Sequence, residues 1–164
     1  MYKPLFPNFV YPPRPVGAFV NISNMKNSKY FKLEELLGSD TALISSIENL
    51  PSWSIVENLR VLAVSVLDPI REAWKQPLIV TSGYRSPQLN AAVGGVPTSA
   101  HMDGCAVDIA LCHLSTRKIS DLFNLIANMV EDGVIDIDQV IYYRKKKIIH
   151  ISNDLPCRKQ FIVK

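Results

Sequence analysis

Apolar side chains recur at helical spacing between residues 54 and 70, where Leu59, Leu62, Val66 and Ile70 fall on one face. This predicts an amphipathic helix, with Ser54 and Glu57 expected as its capping box. Pro69 is expected either to kink that helix or, with Asp68, to open a second one. The clearest helical period after it is "STRKISDLFNLIANMVEDG", built on Ile119, Leu122, Phe123, Ile126 and Met129 and stopped by Gly133. Upstream, "FKLEELLGSDTALISSIENL" predicts two short helices, the first ended by Gly38 and the second capped by Ser39 or Asp40. "SPQLNAAVGG" predicts a short helix with Ser86 as cap, Pro87 at its first position and Gly94 as its stop.

Elsewhere the period shortens. "PLIVTS" is an apolar run expected to be a buried strand, and "CAVDIAL" is expected to be the next. In "CAVDIAL" strand alternation puts Asp108 with Ala106 and Ala110, while Cys105, Val107, Ile109 and Leu111 point the other way. The carboxylate therefore has only small neighbours on its face, and the bulky face belongs to the core. "DQVIYYRKKKIIHIS" predicts two strands joined by a basic turn, with His150 and Ser152 opposite Ile149 and Ile151. A last strand is expected in "QFIVK". The sum is an α+β domain with a small, mostly antiparallel sheet and flanking helices.

Composition narrows the class. With 164 residues, 48% hydrophobic and 20% charged, the chain can bury a single core and is not composed like a disordered one. Residues 1–30 differ: Pro4, Pro7, Pro12, Pro13 and Pro15 stand among Phe6, Phe9, Tyr11 and Phe19, which predicts an extended arm ahead of a domain over 31–164. The prolines also break any apolar run that could serve as a secretory signal, and no segment reaches the ~18–20 apolar residues of a membrane span. Net charge is +3, and the densest basic run is Arg144-Lys145-Lys146-Lys147. No aromatic platform or basic helical stripe accompanies it, so it reads as a solvated turn and not as a nucleic-acid patch. Cys105, Cys112 and Cys157 form no C-x-x-C pair and are expected to be reduced core thiols. Trp53 and Trp74 are likewise expected in the core.

Two histidines, His101 and His150, and the carboxylate of Asp108 make a possible catalytic zinc set, with three protein ligands and one open position. Zinc so held acidifies a water toward pKa ~7 and polarises a carbonyl. The alternative on spacing alone is a loop histidine, a satisfied sheet histidine and a capping aspartate. A serine triad is excluded by the absence of G-x-S-x-G around Ser99. Cys112 and His113 at a strand end read as core and surface.

The stretch "TSGYRSPQLNAAVGGVPTSAHMDGCAVDIA" resembles the core of the zinc D-Ala-D-Ala carboxypeptidase family, which includes L-alanyl-D-glutamate endopeptidases. The signature S-x-H-x-x-G-x-A-x-D is filled by Ser99, His101, Gly104, Ala106 and Asp108, and the second block by Ile149-His150-Ile151-Ser152. "FKLEELLGSDTA" and "ENLRVLAVSVLDPIREAW" are similar to the phage-type branch. The resemblance implies a hedgehog/DD-peptidase fold and one zinc ion per chain on His101, Asp108 and His150. It gives Arg85 a substrate carboxylate or the developing oxyanion to hold, and Ser99 and Tyr84 a place in substrate binding.

One position departs from the family: Lys147 stands three residues before the last histidine, where a Glu or Asp serves as general base. A lysine there cannot act as base without a strongly depressed pKa. A different hairpin register would let Tyr143 or a carboxylate such as Asp103, Asp138 or Asp154 approach instead. The expected activity is zinc-dependent hydrolysis of peptidoglycan stem peptides by a bacteriophage lysin or virion component, made in the host cytoplasm and acting on the cell wall. A zinc-binding wall protein that has lost turnover is the alternative, favoured by Lys147.

Overall fold

The computed structural model describes residues 28–164. The expected arm lies, up to residue 27, outside the described residues. Two short helices, α1 (Leu33–Leu37) and α2 (Asp40–Ile44), come first. They are followed by α3 (Trp53–Leu62), a single wide turn over Ala63–Leu67, and α4 (Asp68–Trp74). Strand β1 (Ile79–Ser82), helix α5 (Pro87–Ala92), strand β2 (Ala106–Ala110) and helix α6 (Thr116–Glu131) follow. Strands β3 (Gln139–Tyr143), β4 (Ile148–Ser152) and β5 (Gln160–Val163) complete the order.

The five strands form one sheet in the order β1-β2-β4-β3-β5, antiparallel except for the β3–β5 pair. Alternation sorts its two faces as the sequence predicts. Val107, Ile109, Ile149 and Ile151 are fully or almost fully buried against the helices, joined by Leu59, Leu62, Val66 and Ile70 from the α3–α4 rod. Each such side chain contributes about 1.5–3 kcal/mol by leaving water. The other face carries Ala106, Asp108, His150 and Ser152, and it is open.

Pro69, together with Asp68, opens a second helix, the latter of the two outcomes expected for it. The wide turn immediately before it shifts the backbone pairing, so that Asp68 N–H reaches the Ala63 carbonyl. Proline thereby falls in the first turn of α4, where its missing N–H costs least. Two caps sit where expected, Ser39 accepting from Ala42 N–H and Ser86 from Leu89 N–H, and Ser115 caps α6 by accepting from Lys118 N–H.

Several expectations are corrected. The capping box at Ser54 does not form, because the helix begins at Trp53 behind Pro51 and Ser52, and Glu57 pairs with Arg60 instead. Strand β1 is not buried: it is a sheet edge, and Ile79 is 48% exposed. Trp53 is exposed on the first turn of α3, while Trp74 packs against the core. The cysteines are free but are not core residues: Cys112 is exposed, and Cys105 and Cys157 are half-buried beside the sheet ends. Among the described residues, no helix is long and apolar enough to cross a membrane.

Candidate metal centre

The three candidate ligands converge because of register. Asp108 on β2 lies directly opposite His150 on β4, so their side chains stand side by side on the open face. His101 arrives from the turn that precedes β2. That turn is held by Gly104 N–H on the His101 carbonyl and Cys105 N–H on the Ala100 carbonyl. Gly104 closes it at φ +70°, pressed against the Ile55 carbonyl of α3, where a side chain has neither the angle nor the space. Asn58 of α3 holds the Asp103 carbonyl at 2.8 Å.

Hydrogen bonds fix the chemistry of each ligand atom. Nδ1 of His101 lies 2.6 Å from the Gly83 carbonyl, which only accepts, so Nδ1 carries the proton. In the neutral ring Nε2 is then an unprotonated acceptor, and it faces Asp108 Oδ1, 3.3 Å away. Two acceptors at that separation call for a cation between them, either a proton on the ring or a metal ion. Nδ1 of His150 lies 2.9 Å from the same Oδ1. The other carboxylate oxygen, Oδ2, accepts from Arg85 Nη2 at 2.6 Å, and Arg85 Nε donates to Ser82 Oγ at 2.8 Å.

This donor set fits zinc. One nitrogen from each of His101 and His150 and one oxygen of Asp108 lie within 4.8 Å of one another. Bonds of about 2.0–2.1 Å in tetrahedral geometry set neighbouring ligand atoms about 3.3 Å apart, against 3.3 and 2.9 Å from Oδ1 to the two nitrogens. Burial alone would raise the pKa of Asp108. Where the proton on the rings is the cation, the hydrogen bonds and charge of His101 and His150 override burial and hold the carboxyl well below its usual range, in the ionised form a metal also requires.

Around these atoms lies a cleft of about 720 Å³. Its walls include Ser99, Arg85 and Tyr143, together with Arg158 and Lys164 from the last strand region. Ser99 lines the cleft. Tyr84 does not: it is 5% exposed and packed in the hydrophobic core, so its expected place in substrate binding is corrected. Lys147 is exposed in the left-handed conformation at the end of the β3–β4 turn and is outside the cleft lining, as is Asp103. Asp138 and Asp154 do line it. Asp138 is buried, and Arg158 holds it by Nε and Nη2 at 2.8 and 2.5 Å, which keeps its pKa low and makes it a poor base.

Two supporting residues escaped sequence reasoning. Gly83 supplies the carbonyl that orients His101, and its Cα packs so closely on the Leu36 backbone that a Cβ would overlap the Leu36 carbonyl oxygen. Asn49 ties three segments together: Nδ2 donates to the Leu37 and Tyr84 carbonyls, and Oδ1 accepts from Ser86 N–H. Gly83 stands inside the quoted S-G-Y-R, whereas a lone asparagine between short helices carries no pattern to mark it.

No curated protein sequence matches the chain significantly. The profile of the Peptidase M15 family matches residues 29–152, which span both helical segments, the ligand turn and the strand bearing His150. Members of that family are zinc peptidases of the D-Ala-D-Ala carboxypeptidase type. A match over most of the chain, on a five-stranded α+β fold with His101, Asp108 and His150 gathered in its cleft, places this protein in the Peptidase M15 family.

Proposed function

We propose that this chain is a zinc-dependent peptidase that hydrolyses stem-peptide bonds of peptidoglycan, of the carboxypeptidase or endopeptidase type, and that it serves a bacteriophage as a lysin or wall-opening virion component. The observation that carries the reading is the close approach of His101 Nε2 to Asp108 Oδ1, a pair of acceptors within a family of zinc peptidases. Zinc bound there supplies a Lewis acid that polarises the scissile carbonyl and acidifies a water. His101, Asp108 and His150 hold the ion, and Arg85 keeps Asp108 turned so that Oδ1 faces both rings. Arg85 has five N–H donors and uses two of them on Ser82 and Asp108, which leaves three for a substrate carboxylate or for negative charge developing on the carbonyl oxygen. Ser99 binds the substrate beside the metal ligands.

A second reading, a zinc-binding wall protein without turnover, draws on one observation. Lys147 occupies the expected base position and is outside the cleft, as is Asp103, and Asp138 is locked to Arg158, so among the candidates named only Asp154 remains as a carboxylate of the lining. Metal analysis combined with digestion of purified peptidoglycan separates the two. The first reading expects one zinc per chain and released peptides from the wild type, with both lost in Asp108→Ala. Zinc without released peptides sustains the second reading. A chain that takes up no zinc overturns both.

A further inference from the structure

We propose that Lys146 and Lys164, set around the Tyr143 ring, form a subsite for a substrate carboxylate, so that the protein selects peptides carrying a free carboxylate about two residues from the bond to be cut. The inference rests on the peptidase reading for the nature of the ligand and on the following geometry for the site.

Tyr143 shares the open face of the sheet with Asp108 and His150. Ile141 is paired with His150, and Tyr143 lies two residues further along β3, opposite Ile148. Two residues of strand advance about 6.8 Å, so the ring stands roughly two peptide residues' reach from the metal ligands on the same cleft wall. Burial raises the pKa of its hydroxyl, which therefore stays protonated and neutral.

Two cations from different elements converge on this ring. Lys146 comes from the β3–β4 turn, and its Nζ lies 5.6 Å from the ring centroid. Lys164 follows β5, and its Nζ lies 5.8 Å from the same centroid. The position of Lys164 is set by backbone bonds on both sides: its N–H donates to the Tyr142 carbonyl and its carbonyl accepts from Arg144 N–H. Both lysines line the cleft, whereas their neighbours Lys145 and Lys147 do not. One of the three lysines of this exposed basic turn thus also lines the cleft.

Among the described residues, neither Lys146 nor Lys164 has a carboxylate within salt-bridge distance. The other cations of the cleft each have a carboxylate partner, Arg85 in Asp108 and Arg158 in Asp138, although Arg85 keeps three N–H donors free beside the metal ligands. The aromatic face offsets only part of the charge of the two ammonium groups, and an anion bound beside the ring is attracted by both. Uncompensated positive charge at one end of a cleft also draws an anionic substrate in and fixes its direction. Peptide chemistry makes the anion a carboxylate.

The test uses zinc-loaded protein and two versions of one probe, the stem peptide L-Ala-γ-D-Glu-L-Lys-D-Ala with the glutamate α-carboxylate either free or amidated. Affinities are read by NMR titration, and mass spectrometry of the same samples records hydrolysis. The wild type is expected to bind the free-carboxylate peptide about tenfold more tightly, from two partly solvated ion pairs, and to lose that margin as salt is raised. In Lys146→Gln/Lys164→Gln the two peptides should bind alike. Lys145→Gln/Lys147→Gln removes the same charge outside the cleft and should keep the preference. Equal affinities in the wild type, or a preference that survives in the Lys146/Lys164 variant, overturn the subsite. Absence of hydrolysis with the preference intact counts against the peptidase reading alone.

Discussion

Replacing Gly83 by alanine tests whether the backbone beneath the site governs the metal ligands above it. The backbone angle at Gly83 is one that any residue adopts; what it lacks is room. An added Cβ overlaps the carbonyl oxygen of Leu36, and the Leu36 carbonyl carbon and Cα lie 2.8 and 2.9 Å away. All three are backbone atoms, so the strain cannot be relieved by rotating a side chain. Overpacking of this kind costs about 1–3 kcal/mol. The displaced segment also carries the 2.8 Å bond from Tyr84 N–H to the Leu36 carbonyl, worth about another 1 kcal/mol.

A total near 2–4 kcal/mol corresponds to a fall in Tm of roughly 6–14 °C for a domain of this size. The second effect is on the metal. Moving Gly83 moves the carbonyl that holds His101 Nδ1–H at 2.6 Å, and losing such an outer contact typically weakens metal binding 10–100-fold. Calorimetry and a zinc competition titration measure the two effects. Gly94→Ala is the comparison: Gly94 has φ +71° with nothing within 4 Å of its Cβ position, so it should cost about 1 kcal/mol in strain and leave zinc affinity unchanged. A Gly83→Ala protein with wild-type Tm and zinc affinity would refute the reasoning.

Asn49→Ala should destabilise by about 2–4 kcal/mol, because two carbonyls and one N–H lose their partner at once, and the loss of Tm in thermal unfolding checks it. Cys112 should react first with a thiol reagent at pH 8, since Cys112 is exposed while burial pushes the Cys105 thiol up to about 12; peptide mapping after brief alkylation that found Cys105 labelled first would contradict this. Arg158 holds the Asp138 carboxyl below its ordinary pKa, so the pair stabilises the fold above pH ~4 and loses that contribution as pH falls through the folded-state value. The Tm difference between wild type and Asp138→Asn should accordingly shrink between pH 6 and pH 3, and a difference that grows on acidification would refute the assignment. Asp108→Asn should weaken zinc binding by at least tenfold without unfolding the chain, measured by competition titration and circular dichroism, because asparagine keeps the volume but loses the charge.

Much of this arrangement was legible in the sequence, and the reason is parity. In a strand each residue's face follows from counting by two, so Asp108 and His150 could each be assigned to a face away from their bulky neighbours. Counting does not say which residue of one strand meets which of another, and the direct pairing of Asp108 with His150 came only with the sheet. Helix faces were readable for the same reason, since Leu59, Leu62, Val66 and Ile70 repeat with the turn. The wide turn at Ala63–Leu67 was not, because it is the response of a continuous rod to Pro69 and not a property of the five residues that make it. The exposure of Ile79 was hidden because an apolar run looks alike at an edge and in the middle of a sheet. Arg158 and Lys164 entered the cleft through a parallel pairing of β5 with β3 that no local pattern announces.

The strand order also fixes when the site can exist. β2, bearing Asp108, has β1 on one side and must wait for β4 on the other, and β4 brings His150. During synthesis the helices, β1 and the turn holding His101 are complete long before that strand leaves the ribosome. Until it inserts between β2 and β3, Asp108 faces a missing neighbour and the ligand set has only two members. A nascent chain that lacks β4 therefore presents only two of the three candidate ligands, and the set is complete only once that strand is in place.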